Sequence, residues 1–177
     1  SYPASPWRME ALIHAANEYV VSNDFTNSEP LFRACAESFP KDPKSAYCHW
    51  KLAWNRYGSR AEDAEELLRE HVRRYPGSEN VSAALYFLGR LRESSQDLAS
   101  AQALYQLLDD RYPNYYYAVQ ARQRLRDAAF SRTKPSGTAA QLIASFALLE
   151  AAPEPAFQSS PESLIRVERA RLLASAG

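Results

Sequence analysis

Carboxylates that could act as a general acid and base occur in this sequence as neighbouring pairs, Glu65-Glu66 and Asp109-Asp110. Acid–base catalysis needs two carboxylates that converge on one substrate, whereas adjacent residues on a helix do not face each other. We therefore expect both pairs to be solvated parts of helix surfaces, and we predict no catalytic residue among them.

The three histidines, His14, His49 and His71, lack the spacing of a metal site, such as two histidines four residues apart on one helix. His71 falls on the apolar face of a predicted helix, which favours a core or interface histidine whose hydrogen bonds are satisfied. The sequence therefore predicts no metal and no other cofactor.

The two cysteines, Cys35 and Cys48, lie on either side of the turn between Pro40 and Pro43. Antiparallel neighbouring helices could join them in a disulfide, or they could be two buried small apolar residues. A nucleophilic cysteine needs a partner that stabilises its thiolate, and His49 next to Cys48 points to a different helix face. The redox state of the pair stays open at this point.

Aromatic side chains offer a different chemistry, which is stacking on a ligand. An aromatic body with a polar tip suits a half-buried contact surface, so a binding groove is one interpretation of these residues. The other is that they fill the seams between helices. Three consecutive tyrosines cannot all point inward from one helical turn, so at least one should be exposed. The candidate groove residues are Trp50, Trp54, Tyr57, Tyr115, Tyr116 and Tyr117.

Composition limits the classes of partner. Lys and Arg total 21 and Asp and Glu total 21, so the chain has no net field to attract a phosphate backbone, and nucleic acid is not an expected partner. No apolar run approaches the ~18 residues of a membrane span, and no signal peptide is visible at Ser1. With 46% apolar residues and only 5 glycines, a helical domain is favoured over a sandwich or barrel.

Aromatic-proline pairs repeat along the chain at Phe39-Pro40, Tyr75-Pro76 and Tyr112-Pro113, with spacings of 36 and 37 residues. Positions at fixed offsets from these prolines also hold similar residues in all three units. They are Ser28, Ala64 and Ala101; Phe32, Leu68 and Tyr105; Cys48, Ala84 and Ala121; and Leu52, Leu88 and Leu125. A period of this length is typical of helix-hairpin repeats.

Apolar spacing within each unit predicts two helices, and similar patterns extend to both ends of the chain. Each aromatic-proline pair should end a helix, because the residue before proline avoids the α region. A loop is expected over residues 131–137. The predicted helices span residues 6–22, 28–38, 43–57, 60–74, 79–94, 98–111, 114–130, 138–151 and 161–175.

Several boundaries carry matching cap chemistry. Asp42-Pro43 and Ser160-Pro161 each combine an N-cap residue with a proline at the first helical position. Ser59 and Glu62 suggest a capping box at the start of helix 60–74, and Gly58 could end the preceding helix with a positive φ. Together these features predict one all-α domain over residues 1–177, whose hairpin repeats stack into an α-superhelix. The unit with Gly89, Ala101, Tyr105 and Pro113 resembles the tetratricopeptide pattern, although these repeats are slightly longer, and the resemblance implies a right-handed superhelix of that type. Its repeat core covers about residues 24–130, and two C-terminal helices follow within 138–175.

Three segments, WKLAWNRY at residues 50–57, ALYFLGR at residues 84–90 and the stretch 111–125, follow one another in the order found in soluble lytic murein transglycosylases, which they resemble. Residues 50–57, WKLAWNRY, resemble a W-x-x-A-W-x-x-Y segment of that family, and residues 84–90, ALYFLGR, resemble A-L-Y-W-x-G-R. Residues 111–125 resemble R-Y-P-x-x-Y-Y-x followed by A-x-x-R-L. The resemblance covers about residues 45–125, while residues 1–40 and 130–177 match only loosely.

In that family these segments belong to an α-superhelical scaffold in the bacterial periplasm. A separate lysozyme-like domain follows and cleaves peptidoglycan glycan strands, leaving a 1,6-anhydro sugar. Its motifs E-S-x-F, G-L-M-Q and A-Y-N-A-G are not complete here, so the chain is expected to stop before the catalytic domain. The resemblance implies a non-catalytic segment that positions or guides glycan strands.

Residues 92–96, RESSQ, echo the E-S of the catalytic motif but lack its aromatic residue. Glu93 is predicted to lie where a helix ends at a repeat turn, so a solvated structural carboxylate is expected. The alternative function is a tetratricopeptide-type adaptor of the cell envelope that binds protein segments. Trp50 and Trp54 favour the transglycosylase scaffold.

Overall fold

A computed structural model describes residues 5–40, 42–146 and 160–176, and every regular element among them is a helix. The all-α prediction is therefore confirmed for this part of the chain. The helices are α1 (Pro6–Val21), α2 (Phe25–Ser38), α3 (Pro43–Gly58), α4 (Ala64–Arg74), α5 (Val81–Ser94), α6 (Leu98–Arg111), α7 (Tyr116–Leu125), α8 (Ala128–Ser131), α9 (Gly137–Ala144) and α10 (Pro161–Ala176).

Successive helices pack against one another in chain order from α1 to α7. This gives three helix hairpins, α1–α2, α3–α4 and α5–α6, and α7 then packs on both α5 and α6. Helices α8 and α9 cover the remaining side of α6. The order of contacts is that expected of helix-hairpin repeats, in which each unit covers the apolar face of its neighbour.

Residues at the repeating offsets form the core. Phe32, Leu68 and Tyr105 are all 0% exposed, and so are Cys48, Ala84 and Ala121 at another offset. The small residues bring paired helices close together, and the large residues fill the space between them. Residues at these repeating sequence positions are therefore buried in each unit of the structure.

The aromatic-proline pairs end helices as predicted. Phe39, Tyr75 and Tyr112 cap the ends of α2, α4 and α6 with φ of −132°, −129° and −133° and ψ of 56°, 57° and 49°. The following proline excludes the α region for each aromatic residue. One backbone conformation thus closes all three hairpins.

The turn inside each hairpin contains a residue in the left-handed region, and none of the three is glycine. Asn23, Arg60 and Gln96 have φ of 57°, 57° and 65°. In each turn the next residue's N–H donates to a carbonyl five residues earlier, at 2.8 to 2.9 Å. These are Schellman motifs, whose hydrogen bonds offset the cost of the left-handed conformation.

The predicted capping box at Ser59 is wrong for this reason. Gly58 is the last residue of α3 without a positive φ, and the hydroxyl of Ser59 donates back to the carbonyl of Arg56 at 3.1 Å. Because Arg60 takes the left-handed position of the turn, α4 begins only at Ala64, after Asp63.

The predicted helix 114–130 is two helices. Asp127 adopts an extended conformation, and its side chain accepts from the N–H of Ala129 at 2.9 Å, which ends α7 and starts α8. The predicted helix 138–151 corresponds to α9, and its positions after residue 146 lie outside the described residues. The predicted cap at Ser160-Pro161 is confirmed, because the N–H of Ser163 donates to the Ser160 hydroxyl at 3.2 Å.

Two hairpins share an arrangement of ion pairs. In each of them, an arginine near the C-terminal end of the first helix makes two ion pairs. Each pairs with a glutamate 27 residues earlier, in the preceding hairpin, and with the aspartate that precedes the next helix. The residues are Arg56, Glu29 and Asp63 in one unit and Arg92, Glu65 and Asp97 in the next. Partly exposed pairs contribute only ~0–1 kcal/mol each, so they chiefly fix how adjacent hairpins are aligned.

Gly89 allows α5 and α6 to approach closely. A Cβ atom at this position would lie 2.4 Å from Cε1 of the Tyr105 ring, which is fully buried and cannot move away freely. Gly89→Ala is therefore expected to lower the free energy of unfolding by about 1–3 kcal/mol, measured by urea denaturation. Gly58→Ala is the control, because no atom lies within 4 Å of its Cβ and its φ is not positive. Equal stability of the two variants would contradict this account.

Candidate ligand-binding face

A row of contacting aromatic rings crosses α3, α5 and α7, each of which is the first helix of its repeat unit. Trp50, Trp54 and Tyr57 on α3 are spaced so that their side chains share one helix face. The Trp50–Trp54 and Trp54–Tyr57 ring centroids are each 5.7 Å apart, with nearly parallel planes. Stacking along α3 thus forms the first half of the row.

Phe87 on α5 joins this stack to α7. Its ring centroid lies 4.8 Å from both Trp54 and Tyr57 and 5.4 Å from Tyr117, whose ring contacts Tyr116 at 5.2 Å. We call Trp50, Trp54, Tyr57, Phe87, Tyr117 and Tyr116 the aromatic row.

The aromatic row is partly core and partly surface. Trp54 is 38% exposed and Tyr116 is 68% exposed, whereas Trp50, Tyr57, Phe87 and Tyr117 are half-buried. The interpretation that these residues fill seams between helices thus fits the half-buried rings, and the binding groove stays a prediction for the exposed ones. The half-buried rings hold α3, α5 and α7 together, and the exposed rings offer faces on which a flat apolar group can stack.

Five of the six predicted groove residues belong to the row, and Tyr115 does not. Tyr115 precedes α7, and its ring contacts Tyr112 at 5.4 Å in the turn. Tyr115 and Tyr116 are both exposed, which confirms that the three tyrosines do not all point inward. Phe87 was not predicted from the sequence as a member of the row. One signal pointed near it, because the position one repeat period after Trp50 is Tyr86, the residue next to Phe87.

A buried histidine pair adjoins the Trp50 end of the row. The rings of His49 and His71 stack at 5.5 Å, and His71 also contacts Trp50 at 5.7 Å. His71 is fully buried and neither of its nitrogens has a hydrogen-bond partner among the described residues. The predicted burial of His71 is thus confirmed, whereas the prediction that its hydrogen bonds are satisfied is wrong within the described residues.

Burial sets the protonation of this pair. It lowers the pKa of His71 to about 3, and the neighbouring His49 adds to the effect. Burial also lowers the pKa of His49, although Glu70, whose Oε2 lies 3.4 Å from its Nε2, acts in the opposite direction. Both imidazoles are therefore neutral near pH 7.

Glu93, the residue that echoes a catalytic motif, is not the solvated helix-end carboxylate that was expected. It accepts a hydrogen bond from the Tyr105 hydroxyl at 2.9 Å and from Nε of Arg124 at 3.2 Å. Nε of Arg90 lies 3.4 Å from the same carboxylate oxygen, Oε2. Glu93 therefore ties α5 to α6 and α7, which is a structural role.

The paired carboxylates also lie in ion pairs. Glu66 pairs with Arg73 at 2.6 Å, Glu65 pairs with Arg92, and Asp109 pairs with Arg122. Glu65, Glu66 and Asp109 thus contact arginines on helix surfaces, and none of the three lines the cavities described below.

Two adjoining cavities open where the row meets the C-terminal ends of α3 and α5. The larger has a volume of about 600 Å³, and the second of about 280 Å³ extends towards α7. Arg90 and Ser94 line both. The larger is also lined by Tyr57, Gly58, Arg60, Ala61, Ala64 and Leu91, and the second by Glu93, Gln96, Leu98, Arg124 and Ala129.

Within the described ranges, no group of three or more His, Cys, Asp or Glu residues is placed to hold a metal ion. None of the described helices is long and apolar enough to cross a lipid bilayer. Comparisons with protein-family models, curated proteins and solved structures found no match to this chain.

Proposed function

We propose that this chain is a non-catalytic scaffold segment of a periplasmic peptidoglycan lytic transglycosylase. Its hairpins would stack into a right-handed, tetratricopeptide-like superhelix that positions glycan strands for a downstream lysozyme-like domain. The observation that carries the proposal is the aromatic row, which crosses α3, α5 and α7 and exposes Trp54 and Tyr116.

The form of the row fits an extended saccharide. Sugar rings have flat apolar faces with hydroxyls at their edges, and aromatic side chains with polar tips can contact both parts. A series of rings at about 5 Å spacing offers a strand several contacts along its length. The residues of the row also fall in the three segments that resemble the transglycosylase scaffold.

The cysteine pair supports a periplasmic location. Cys35 and Cys48 form a disulfide between α2 and α3, with a Cα–Cα distance of 6.0 Å. Disulfides persist in oxidising compartments such as the periplasm and are rare in the cytosol. A scaffold that works among glycan strands outside the cytoplasmic membrane would experience these conditions.

A tetratricopeptide-type adaptor is the second candidate, and the exposed rings favour it to a degree. Tryptophan and tyrosine are enriched among the residues that contribute most to protein–protein binding. Trp54 and Tyr116 could therefore contact apolar side chains of an extended protein segment.

Pelleting with purified murein sacculi tests the proposal. We expect the wild-type chain to pellet with sacculi, and Trp54→Ala and Tyr116→Ala each to weaken binding about tenfold, the effect of losing one stacking contact worth about 1.4 kcal/mol. Trp7→Ala is the matched control, because Trp7 is 83% exposed but lies on α1 outside the row.

The same assay should release no anhydro-muropeptide. Release of that product would contradict the proposal that this chain is non-catalytic. Failure of the wild-type chain to bind sacculi would favour the adaptor, and binding by Trp54→Ala and Tyr116→Ala at the wild-type level would remove the aromatic row from the proposal. Circular dichroism of each variant checks that it is folded.

A further inference from the structure

The two adjoining cavities beside the aromatic row form one groove with an excess of positive charge. Its lining contains three guanidinium groups, Arg60, Arg90 and Arg124, and one carboxylate, Glu93. We call this lining the arginine groove. Since the charges of the whole sequence sum to zero, the excess is a local property of this site.

The single carboxylate does not occupy the donors of all three arginines. Glu93 already accepts from Arg124 and from the Tyr105 hydroxyl. Arg90 approaches it at 3.4 Å, but its buried Nε makes no hydrogen bond among the described residues. Arg60 is exposed, and it forms no ion pair with any carboxylate among the described residues. Arg60 therefore keeps its donors for a ligand, and the Arg90 guanidinium adds positive charge beside it.

The arginine groove is continuous with the aromatic row. Tyr57 stacks on Trp54 in the row and also lines the larger cavity, next to Arg90. A strand lying on the row would therefore reach the guanidinium groups at this end. A cavity of about 600 Å³ is large enough for a sugar-sized group.

We propose that the arginine groove binds carboxylate groups carried by a saccharide strand. The proposal rests on the proposed function, since it specifies the chemistry of the strand that lies on the row. Guanidinium groups are planar donors that pair with carboxylates in a bidentate manner, which a neutral sugar cannot match. The groove would thereby select an acidic glycan over a neutral one.

Binding of peptide-free murein glycan strands tests this proposal. Every second sugar of these strands carries a lactyl carboxylate, and a carbodiimide with an amine converts it to an amide. We expect the wild-type chain to bind untreated strands about tenfold more tightly than amidated strands. Arg60→Gln and Arg90→Gln should each weaken binding to untreated strands about fivefold, the scale of one partly exposed ion pair, and leave amidated strands unaffected.

Arg60→Gln is conservative for the backbone, because Gln96 occupies the equivalent left-handed position in the next hairpin. Arg73→Gln, on α4 outside the groove, is the matched control and should bind both strands like the wild type. Urea denaturation shows whether Arg90→Gln keeps wild-type stability. If it does not, Arg60→Gln alone decides the outcome.

Equal binding of untreated and amidated strands by the wild type would overturn the proposal. It would also be overturned if Arg60→Gln and Arg90→Gln still bind untreated strands more tightly than amidated ones to the same extent as the wild type. Free stem peptides that compete as strongly as the strands would also overturn it, because the ligand would then be an acidic peptide. If Trp54→Ala weakens both strands while the arginine variants bind normally, the proposed function stands and the groove proposal fails. If the wild type binds neither strand, both fail.

Discussion

Acidification from pH 6.5 to pH 4 is expected to lower the free energy of unfolding by about 3 kcal/mol through His71 alone. His71 is fully buried between α3 and α4, and its pKa is lowered to about 3. An unfolded chain takes up a proton at His71 near pH 6.5, whereas the folded chain does not. Protons therefore favour unfolding over this range.

The direction follows from proton counting. Between about pH 6.5 and pH 3 the unfolded state binds more protons at His71 than the folded state, so stability rises with pH. Above about pH 7.5 both states are neutral at this residue and it contributes no slope. His49 adds in the same direction, although Glu70 opposes the effect there and Arg74 and Arg33 strengthen it.

Urea denaturation at several pH values measures the effect. His71→Phe keeps a ring in the stack but cannot take up a proton, so its stability should fall less steeply between pH 6.5 and pH 4. His14→Gln removes an exposed imidazole on α1 and serves as the control for the loss of a histidine outside the buried pair. If His71→Phe and the wild type lose stability in parallel, the buried imidazole is not responsible. The change of the free energy of unfolding with pH is the test, and its absolute value is not, because phenylalanine is larger than histidine and can alter stability at every pH.

The helices and their order could be predicted from the sequence because the signals are local. Apolar residues at fixed offsets from Pro40, Pro76 and Pro113 define one buried face per helix, and a proline ends each hairpin by steric exclusion. Cap residues such as Asp42 act within two residues, and its side chain accepts from the N–H of Lys44 at 2.9 Å. Such features depend little on distant parts of the chain.

The turns inside the hairpins were predicted less well because their backbone does not follow the usual residue preference. Glycine is the expected residue at positive φ, so the sequence favours Gly58 for this position, whereas Arg60 takes the left-handed conformation. The Schellman hydrogen bonds make this conformation acceptable for arginine. Asn23 and Gln96 fill the same position at the repeat period, which is the signal that the sequence offered.

The candidate site was found only in part because its remaining contacts join different hairpins. Trp50, Trp54 and Tyr57 share one helix face, so their spacing alone indicates a cluster. Phe87 joins that cluster to α7 only once α5 packs beside α3, and Glu93 meets Arg124 across 31 residues. Contacts at such separations depend on how hairpins stack, which the pattern within one helix does not reveal.

Loss of the Cys35–Cys48 disulfide is expected to lower the free energy of unfolding by about 3 kcal/mol, the loop-closure contribution for a link across 13 residues. The midpoint of thermal unfolding should fall by about 6–12 °C. The disulfide joins α2 to α3, the contact between the first two hairpins, and both cysteines are 0% exposed. A reductant should therefore act slowly on the folded chain and quickly in urea, since attack on sulfur needs access.

The matched variant is Cys35→Ala with Cys48→Ala, unfolded in urea with and without reductant. Reductant should bring the stability of the wild type close to that of the double variant and leave the double variant unchanged. This comparison separates a covalent link from two well-packed thiols, because thiols lose packing in the variant but do not respond to reductant. A wild-type unfolding curve that is the same with and without reductant would mean that the two sulfurs are buried as thiols. It would also remove the support that the pair gives to an oxidising compartment.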